Sequence, residues 1–532
     1  MIIATLVVAL GYFIYERQSL VDPTDSVEAT MEQASPGEIE VLNAVADTRI
    51  RRTIAVLPFL NMSSDDEQAW FADGLTEEIL NALARAPDLL VSARTSSFAY
   101  KGTTKNISTI AQELGVNHIL EGSVRRGGDR LRVTAQLIRA EDGFHLWSQT
   151  HDKTLDDVIQ IQEDVAVEIA KALKTAMDPE ALAQMMSAGT SSVPAFEAYL
   201  EGLAYGISSS TTGDVYQYLS ASQAFERAIE IDPTFARAHW ESALFWGVQL
   251  GTANIYNGLT DIPRDDMTAS YQDAIENAIR FERDPVSVLV YRANKASQET
   301  RLVRSLRLIT EYLEKRPNDQ AAQMEQLSTL SSLRRYDDAI SAGLAFYERD
   351  GRDPFVVSQT MELMRYSKDN ELQRSFTRKA LERFDDSTSV VYQAHRTLLW
   401  AGDIDGSSRL LPRIQSSDLP EDTRYLSNLR QACAERRLDD AQKLVAAHYA
   451  RTPDDASDGQ FMTWLTHKIL GEDAAALAGV RDLDDSADLR ELVDYSTYGS
   501  FDARELPNLM ALLESQGVDD FEPRINPIRC KR

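Results

Sequence analysis

Cysteine and histidine are scarce in this chain of 532 residues, and their scarcity removes several classes of protein. Two cysteines, Cys433 and Cys530, are too few for a disulfide framework or a four-cysteine zinc site. None of the seven histidines lies in the H-E-x-x-H spacing of a zinc hydrolase. The sequence therefore predicts neither a metal site nor a disulfide-rich module. Cys433 is expected to be a small core residue, and the end of the chain at Cys530 is expected to be loose.

Basic residues are also outnumbered, with 55 lysines and arginines against 83 aspartates and glutamates and a net charge of -28. A chain this acidic repels phosphate backbones, so nucleic-acid binding is not expected. The chain also lacks a phosphate-binding loop, a dinucleotide fingerprint and a nucleophile elbow, so we predict no cofactor and no catalytic residues. Its 43% of hydrophobic residues is ordinary for globular proteins, and its length suggests roughly three or four domain-sized units.

An uncharged apolar run that could reach the membrane occurs at the start, where residues 1–15 read MIIATLVVALGYFIY. A signal peptide is a poor match, because no basic residue precedes the run and no small-residue cleavage site follows it. We expect residues 1–17 to be a membrane anchor, with Tyr12 and Tyr15 at the interface. Fifteen helical residues span roughly 22 Å against a ~30 Å hydrocarbon core, so the true start is expected to lie upstream. The alternative is a buried N-terminal helix of a soluble protein.

Residues 18–51 read as an acidic linker, with Arg17 as the single basic residue before Arg49. Because the positive-inside rule counts lysine and arginine, such a flank is easily translocated. We therefore expect the N-terminus inside and the bulk of the chain outside the membrane.

Residues 52–178 show the pattern of an α/β domain with a mixed sheet. The order is β-α-β-α-β-β-β-α, with helices on one side of the sheet. The first strand is the apolar run Thr53–Leu60, Thr76 is the expected N-cap of the first helix, and Gly115 ends the second. Asp142-Gly143 predicts a hairpin turn with positive φ.

Several long phrases in this region carry a resemblance to a known family. They are IAVLPFLNMSSDDEQAWFADGLTEEIL, RTSSFAYKG, LGVNHILEGSVRRGGDRLRVTAQLI and DGFHLWSQTHDKTL. Together they resemble the TolB amino-terminal-like domain, which is related to FlgO- and CsgG-type envelope domains. The resemblance implies a bacterial domain that follows a membrane helix and precedes tetratricopeptide repeats. Relatives often carry an upstream class III adenylate cyclase, winged-helix or kinase domain, none of which lies in this chain.

The loop at residues 94–102 is the candidate ligand site of this domain. Its hydroxyls and cations could bind an anion, through Ser96, Ser97, Tyr100 and Lys101. The structural alternative is that Phe98 and Tyr100 pack inward while the serines cap the turn. No general base or nucleophile pair accompanies the loop, and this favours the structural alternative.

Residues 190–470 show the spacing of tetratricopeptide-like helical repeats. A small residue is followed by an apolar residue four positions later, by a small residue three after that, and by proline at an offset of 12. The full match is Ala221, Phe225, Ala228 and Pro233; one substitution separates Ala441, Val445, His448 and Pro453 from the pattern; a larger third residue occurs in Ser305, Ile309, Tyr312 and Pro317; and the match at Ala339 is partial. We expect an all-α superhelix of roughly six or seven helix pairs, followed by a helical cap and tail at residues 471–532. An irregular all-α domain is the alternative, but it does not explain the repeated proline offset.

These features suggest a non-enzymatic protein of the bacterial inner membrane, single-pass, with its bulk in the periplasm. The repeats would bind a protein or peptide on their concave face, and the acidic chain favours a basic or mixed-charge partner. A second hypothesis is the sensory half of a signalling protein whose cyclase or DNA-binding output domain is absent from this chain. A third is an enzyme that uses the Ser96–Lys101 loop.

Overall fold

The computed structural model describes most of the chain from residue 52 onward. The described ranges are 52–63, 69–84, 89–127, 130–154, 157–172, 189–212, 215–252, 262–317, 319–350, 354–385, 387–417, 419–450, 459–485, 489–496, 502–521 and 528–530. The predicted anchor and the predicted linker, residues 1–51, lie outside these ranges. In the described ranges, no helix combines the length and the apolar character that a membrane crossing requires.

A mixed sheet forms the first part of the described chain. Its strands are β1 (Arg52–Val56), β2 (Leu60–Asn61), β3 (Leu89–Val91), β4 (His118–Gly127), β5 (Arg130–Arg139) and β6 (His145–Thr154). The strand order is β3-β1-β4-β5-β6, and β2 also pairs with β4. Strands β1 and β2 run parallel to β4, whereas β4, β5 and β6 form an antiparallel meander. The predicted α/β domain with a mixed sheet is confirmed.

Helices cover both faces of the sheet, so the expectation of helices on one side was wrong. The helices are α1 (Ala69–Ala84), the short α2 (Arg94–Phe98), α3 (Ile107–Leu114) and α4 (Val158–Ala172). Ile54 and Val56 of β1 pack with α1 and α4, whereas Ala55 and Leu57 pack with α3. The continuous apolar run of β1 serves both faces, because successive side chains of a strand point in opposite directions.

Two of the predicted local signals are confirmed and one is wrong. Gly115 ends α3 in the left-handed region at φ 65°, and Gly143 has the positive φ that its hairpin turn requires. Thr76, by contrast, is not an N-cap, since α1 begins at Ala69. Its buried hydroxyl donates to the carbonyl of Ala72 at 2.7 Å and accepts from the amide of Phe59 at 3.0 Å. Thr76 therefore fastens the helix to the chain that leaves β1.

The rest of the described chain is helical, and from residue 193 to 485 its helices form eight consecutive antiparallel pairs. Each pair has a first and a second helix. The pairs are α5 and α6 (Val193–Thr212, Val215–Ile231), α7 and α8 (Ala236–Thr252, Arg264–Phe281), α9 and α10 (Pro285–Gln298, Leu302–Lys315), α11 and α12 (Gln320–Ser332, Tyr336–Asp350), α13 and α14 (Pro354–Met364, Asn370–Arg383), α15 and α16 (Thr388–Trp400, Ile404–Gln415), α17 and α18 (Glu421–Ala434, Leu438–Tyr449), and α19 and α20 (Gly459–Leu470, Asp473–Asp485). After them come α21 (Leu489–Ser496), a 3-10 turn (Ala503–Glu505) and α22 (Pro507–Ser515).

The third to the seventh pair repeat with a period of 34 residues, measured between buried second-helix positions from Ser305 to Ala441. The turn inside five of the eight pairs contains a residue in the left-handed region, and these residues are Thr300, Arg334, Gly402, Arg436 and Gly471. In each turn the residue after the left-handed one donates its backbone amide to a carbonyl of the first helix, as Arg301 does to Ala296 at 2.8 Å. A buried position of the second helix recurs every 34 residues at Ser305, Ala339, Gln373, Ser407 and Ala441, and again 35 residues later at Ala476. None of these six side chains is more than 1% exposed, because each faces the partner helix at close approach.

The predicted signature residues lie along these helices. Ala221, Phe225, Ala228, Ser305, Ile309, Tyr312, Ala339, Ala441 and His448 are buried, and Val445 is half-buried. Pro233 and Pro317 lie in the linkers that follow α6 and α10. Pro453 lies outside the described residues. The helical register of these sets therefore faces the interior of the pairs.

A disulfide joins Cys433 to Cys530 across 97 residues, so Cys433 is not an unpaired core residue and the Cys530 end is not loose. Around the bond, the Cys530 amide donates to the carbonyl of Ile469 at 3.0 Å, and Arg529 pairs with Asp473 at 2.8 Å. Upstream of this end, the segment from α21 to α22 folds back toward the middle of the pairs. There the Val303 amide donates to the side chain of Gln516 at 3.3 Å.

Replacing Cys530 with serine is expected to destabilise the last two helix pairs by about 2–4 kcal/mol, since the bond closes a long loop. Hydrogen exchange should rise in residues 459–485, and the midpoint of thermal unfolding should fall. The Cys433→Ser variant should show the same loss, and reductant should lower the midpoint of the parent protein but of neither variant. Two thiols that react in the folded, unreduced protein would contradict the bond.

Candidate functional site

A buried ionic cluster joins the sheet domain to the first two helix pairs. Arg237 of α7 donates from both terminal nitrogens to the two carboxylate oxygens of Glu78 on α1, each at 2.6 Å. The guanidinium of Arg237 also lies 5.4 Å from the ring centre of Tyr199 on α5. Beside it, Arg94 of α2 pairs at 2.8 Å with Glu77, the residue that precedes Glu78 in α1. Because the Glu78 side chain is fully buried, the opposite charges of Arg237 and Glu78 must neutralise each other. We call Glu77, Glu78, Arg94, Arg237 and Glu241 the junction cluster.

Gly74 permits the close approach of helices that the junction cluster needs. It lies inside α1, next to Asp73. A Cβ atom at Gly74 would lie 2.6 Å from the backbone oxygen of Leu200 in α5, closer than side chains tolerate. Helices α1 and α5 therefore pack backbone to backbone here.

The predicted ligand loop is built into the same region. Lys101 donates to Asp73 of α1 at 2.5 Å. Ser96 and Ser97, which lie in the sequence between Arg94 and Lys101, are both buried. Tyr100 lies elsewhere, since its hydroxyl donates to Glu113 of α3 at 2.8 Å. The structure therefore fastens Lys101 to α1 and directs Tyr100 to the other side of the domain.

Several buried polar atoms of this region have no hydrogen-bond partner in the described structure. They are Oδ1 of Asp73, Oε2 of Glu77, and the hydroxyls of Ser96 and Ser97. Burial raises the pKa of Asp73 and of Glu77, against the opposing effects of Lys101 and Arg94. Burying a polar atom without a hydrogen-bond partner costs free energy. The region between α1 and α2 therefore contains polar atoms whose hydrogen bonds the described protein groups do not provide.

Glu241 makes the junction cluster electrostatically unbalanced. The cluster contains three carboxylates but two arginines, Arg94 and Arg237. Burial, followed by repulsion from Glu77, raises the pKa of Glu241 to about 7. The charge of the junction cluster therefore changes near neutral pH.

An open groove is the second candidate site. It has a volume of about 740 Å³ and lies between α10, α11 and α12. Arg307, Glu311, Glu314, Arg335 and Asp338 give it charges of both signs. Within the part of the chain that the structure describes, no group of three or more histidine, cysteine or acidic side chains is arranged to hold a metal ion.

Known proteins give limited similarity. No family model matches the chain. A curated protein named "Putative adenylate cyclase 3", from Rhizobium meliloti (strain 1021), is 36% identical over 229 residues, which are 42% of this chain and 37% of that protein. The chain thus covers well under two thirds of this relative. The crystal structure of TolB from Acinetobacter baumannii matches 23% of this chain and 28% of that one, with 20% identity and a TM-score of 0.18. A structural likeness at that level carries no argument.

Sequence reasoning missed the junction cluster and found only part of its surroundings. Glu77 and Glu78 are adjacent in the sequence, but their partners Arg94 and Arg237 are 17 and 159 residues away. No local pattern links such residues. The glycine inside the acidic helix, Gly74, was the one available signal of a close helix contact.

Replacing Gly74 with alanine is expected to destabilise the junction by about 1–3 kcal/mol, because the new methyl group meets the backbone of Leu200. Thermal unfolding and hydrogen exchange in α1 and α5 would measure the change. Gly479→Ala is the matched control, since this helical glycine has nothing within 4 Å of its Cβ position. It should stabilise α20 by about 0.5–1 kcal/mol. Equal effects of the two substitutions would contradict the close contact.

Replacing Glu241 with glutamine is expected to remove part of the pH dependence of stability. The folded protein holds the Glu241 proton with a pKa of about 7, against an ordinary value of 4.5, so it binds that proton more tightly than the unfolded chain does. This contribution makes the parent protein more stable as pH falls from about 7 toward 4.5, and less stable as pH rises.

The variant should therefore unfold a few degrees higher than the parent at pH 8 and at nearly the same temperature at pH 4.5. Thermal unfolding of both proteins across this range measures the difference. Glu382→Gln, at an exposed glutamate of α14, should leave the profile unchanged. A constant difference between parent and E241Q at every pH would be evidence against the shifted carboxyl.

Proposed function

We propose that this protein is a membrane-anchored bacterial envelope protein that binds a protein partner through tetratricopeptide repeats. The observation that carries the proposal is the recurrence of a buried second-helix position every 34 residues, from Ser305 to Ala441. That is the period of tetratricopeptide repeats, whose stacked pairs offer an extended concave surface. The predicted anchor at residues 1–17 and the TolB-like phrases of residues 52–178 support an envelope location for this scaffold.

The disulfide supports a periplasmic location for the helix pairs. Bonds such as Cys433–Cys530 persist in oxidising compartments, including the bacterial periplasm, and are rare in the cytosol. This agrees with the orientation expected from the scarcity of basic residues between Arg17 and Arg49. We propose a single pass through the inner membrane, with residues 52–532 in the periplasm.

A second candidate function is the sensory half of a signalling protein. It is favoured by the similarity to the protein named as an adenylate cyclase, of which this chain covers 37%. In this alternative, a ligand or partner outside the membrane would act on an output domain joined to the anchor or carried by another protein. The junction cluster would then couple the sheet domain to the helix pairs.

Site-specific photo-crosslinking in cells is expected to capture the partner from the first-helix side of the pairs. A photoreactive residue at Ser328, exposed on the first helix α11, should form a discrete adduct. The matched position is Arg378, exposed on the second helix α14, and it should form none. Equal adducts at both positions, or adducts only at Arg378, would contradict binding along the first helices.

The location has its own test. A reporter enzyme that is active only in the periplasm, fused after Arg532, should be active in the full chain. Activity of a cytosol-dependent reporter at the same position would overturn the orientation and leave the repeat scaffold to be judged by the crosslinks.

A further inference from the structure

Three residues at one position of successive helix pairs form a charged row. Glu362 of α13, Arg396 of α15 and Arg430 of α17 follow one another at intervals of 34 residues. These three first helices pack against one another in sequence, so equivalent positions lie side by side. A nitrogen of Arg396 lies 3.7 Å from the Glu362 carboxylate.

Arg365, Tyr392 and Gln393 complete the surroundings of the row. Arg365 pairs with Glu362, and its guanidinium lies 5.5 Å from the ring centre of Trp400. Arg396 lies 5.4 Å from the ring centre of Tyr392 and donates to the side-chain oxygen of Gln393 at 3.3 Å. The aromatic rings fix the planes of two guanidinium groups. The guanidinium groups of Arg365, Arg396 and Arg430 are the donors here, and the Glu362 carboxylate is an acceptor. We call Glu362, Arg365, Arg396, Arg430 and Tyr392 together the arginine row.

The arginine row has more positive than negative charge. Arg365 and Arg396 share the single carboxylate of Glu362. Arg430 hydrogen-bonds to the side chain of Tyr392 instead, and all three arginines are no more than 5% exposed. The terminal nitrogen Nη1 of Arg430 is buried with no hydrogen-bond partner in the described structure. About a third of the Glu362 side chain remains exposed, at 31%, so the row is open to solvent at this point. A buried excess of charge is costly unless something neutralises it.

The electrostatics of neighbouring groups agree with this excess. Burial and repulsion from Arg396 and Arg365 lower the pKa of Arg430 to about 10. The pKa of Tyr392 is lowered despite burial, because Arg396, Arg430 and Arg365 favour its anion. Burial and then Arg430 lower the pKa of His395 to about 4. The field along these helices therefore favours negative charge, in a chain whose net charge is -28.

We propose that the arginine row binds a carboxylate group of a ligand, with Arg430 as its main donor and Arg396 beside it. The inference rests on the proposed function and sharpens it, because it assigns an acidic group to the partner at this point of the first-helix side. A carboxylate is favoured because the row already holds one, that of Glu362, between Arg365 and Arg396. A carboxylate adds one negative charge beside Glu362, whereas a phosphate group adds up to about two on one centre.

Isothermal titration of the full chain tests the proposal at constant ionic strength. The probes are succinate, an acetylated and amidated triglutamate peptide, inorganic phosphate, and chloride as the control for screening. Saturable binding of succinate or of the peptide supports the carboxylate site, and the tighter of the two identifies a free acid or a peptide as the source. Preferential binding of phosphate, or an equal response to all four, would overturn it.

Arg430→Met is expected to weaken binding of the better carboxylate probe by about tenfold or more, since it removes a charge-assisted donor pair. The midpoint of thermal unfolding should stay the same or rise, because a buried charge without a full set of partners is lost. Arg430→Lys should retain part of the affinity. Arg437→Met, at an exposed arginine in the turn that follows α17, is the matched control and should bind as the parent does. Unchanged binding by R430M would overturn the site.

Failure of this site and failure of the proposed function give different results. If the partner crosslinks at Ser328 equally in the parent and in R430M, and no carboxylate probe binds, the scaffold stands and the arginine row is only structural. If the carboxylate probes bind but no partner is captured at Ser328, the site stands and the scaffold function falls.

Discussion

Close approach of paired helices at one recurring position is the constraint on which most of this structure depends. Ser305, Ala339, Ser407 and Ala441 each leave room for a neighbouring helix, and all are buried to within 1%. At these four positions a larger side chain would push two helices apart and shift the pairs packed next to them, whereas the α13–α14 pair accommodates Gln373 there at 1% exposure. The same requirement fixes the turns, where even Arg334 and Arg436 adopt the left-handed conformation so that the second helix can return. The 34-residue period in the sequence therefore follows from the packing of the helices.

The sequence predicted features that depend on local chemistry and missed features that depend on distant partners. Gly115 and Gly143 were predicted correctly because a turn requires their conformation whatever surrounds it. Thr76 was misassigned because a threonine before an acidic helical stretch has the same local signature whether it caps the helix or lies within it. The helix pairs were expected from spacing, but the count was low. The α13–α14 pair has Gln373 at the small position and carries no signature, although its packing is the same.

The candidate sites show the same division. The pairs Arg237–Glu78 and Cys433–Cys530 span 159 and 97 residues, so no window of sequence contains both partners. The arginine row is different, because Glu362, Arg396 and Arg430 are spaced by the repeat itself and could be found once the period is known. A repeated scaffold thus converts a distant relationship in sequence into a periodic one. Charged residues that recur at an equivalent first-helix position therefore predict a contact between neighbouring pairs, as the small residues of the second helix predict close packing within a pair.

Net charge alone misdirects inference about what such a protein binds. The total of -28 suggests a basic or mixed-charge partner, yet two buried arginines, Arg365 and Arg396, pair with the single carboxylate of Glu362, and a third, Arg430, is buried on the next first helix. At physiological ionic strength exposed charges are screened beyond roughly 8 Å, whereas buried groups are screened much less. A partner near the arginine row would therefore respond to Arg430 and its neighbours more strongly than to acids elsewhere on the surface. Recognition by this chain is better read from local, partly buried charge than from composition, and a mixed-charge partner satisfies both.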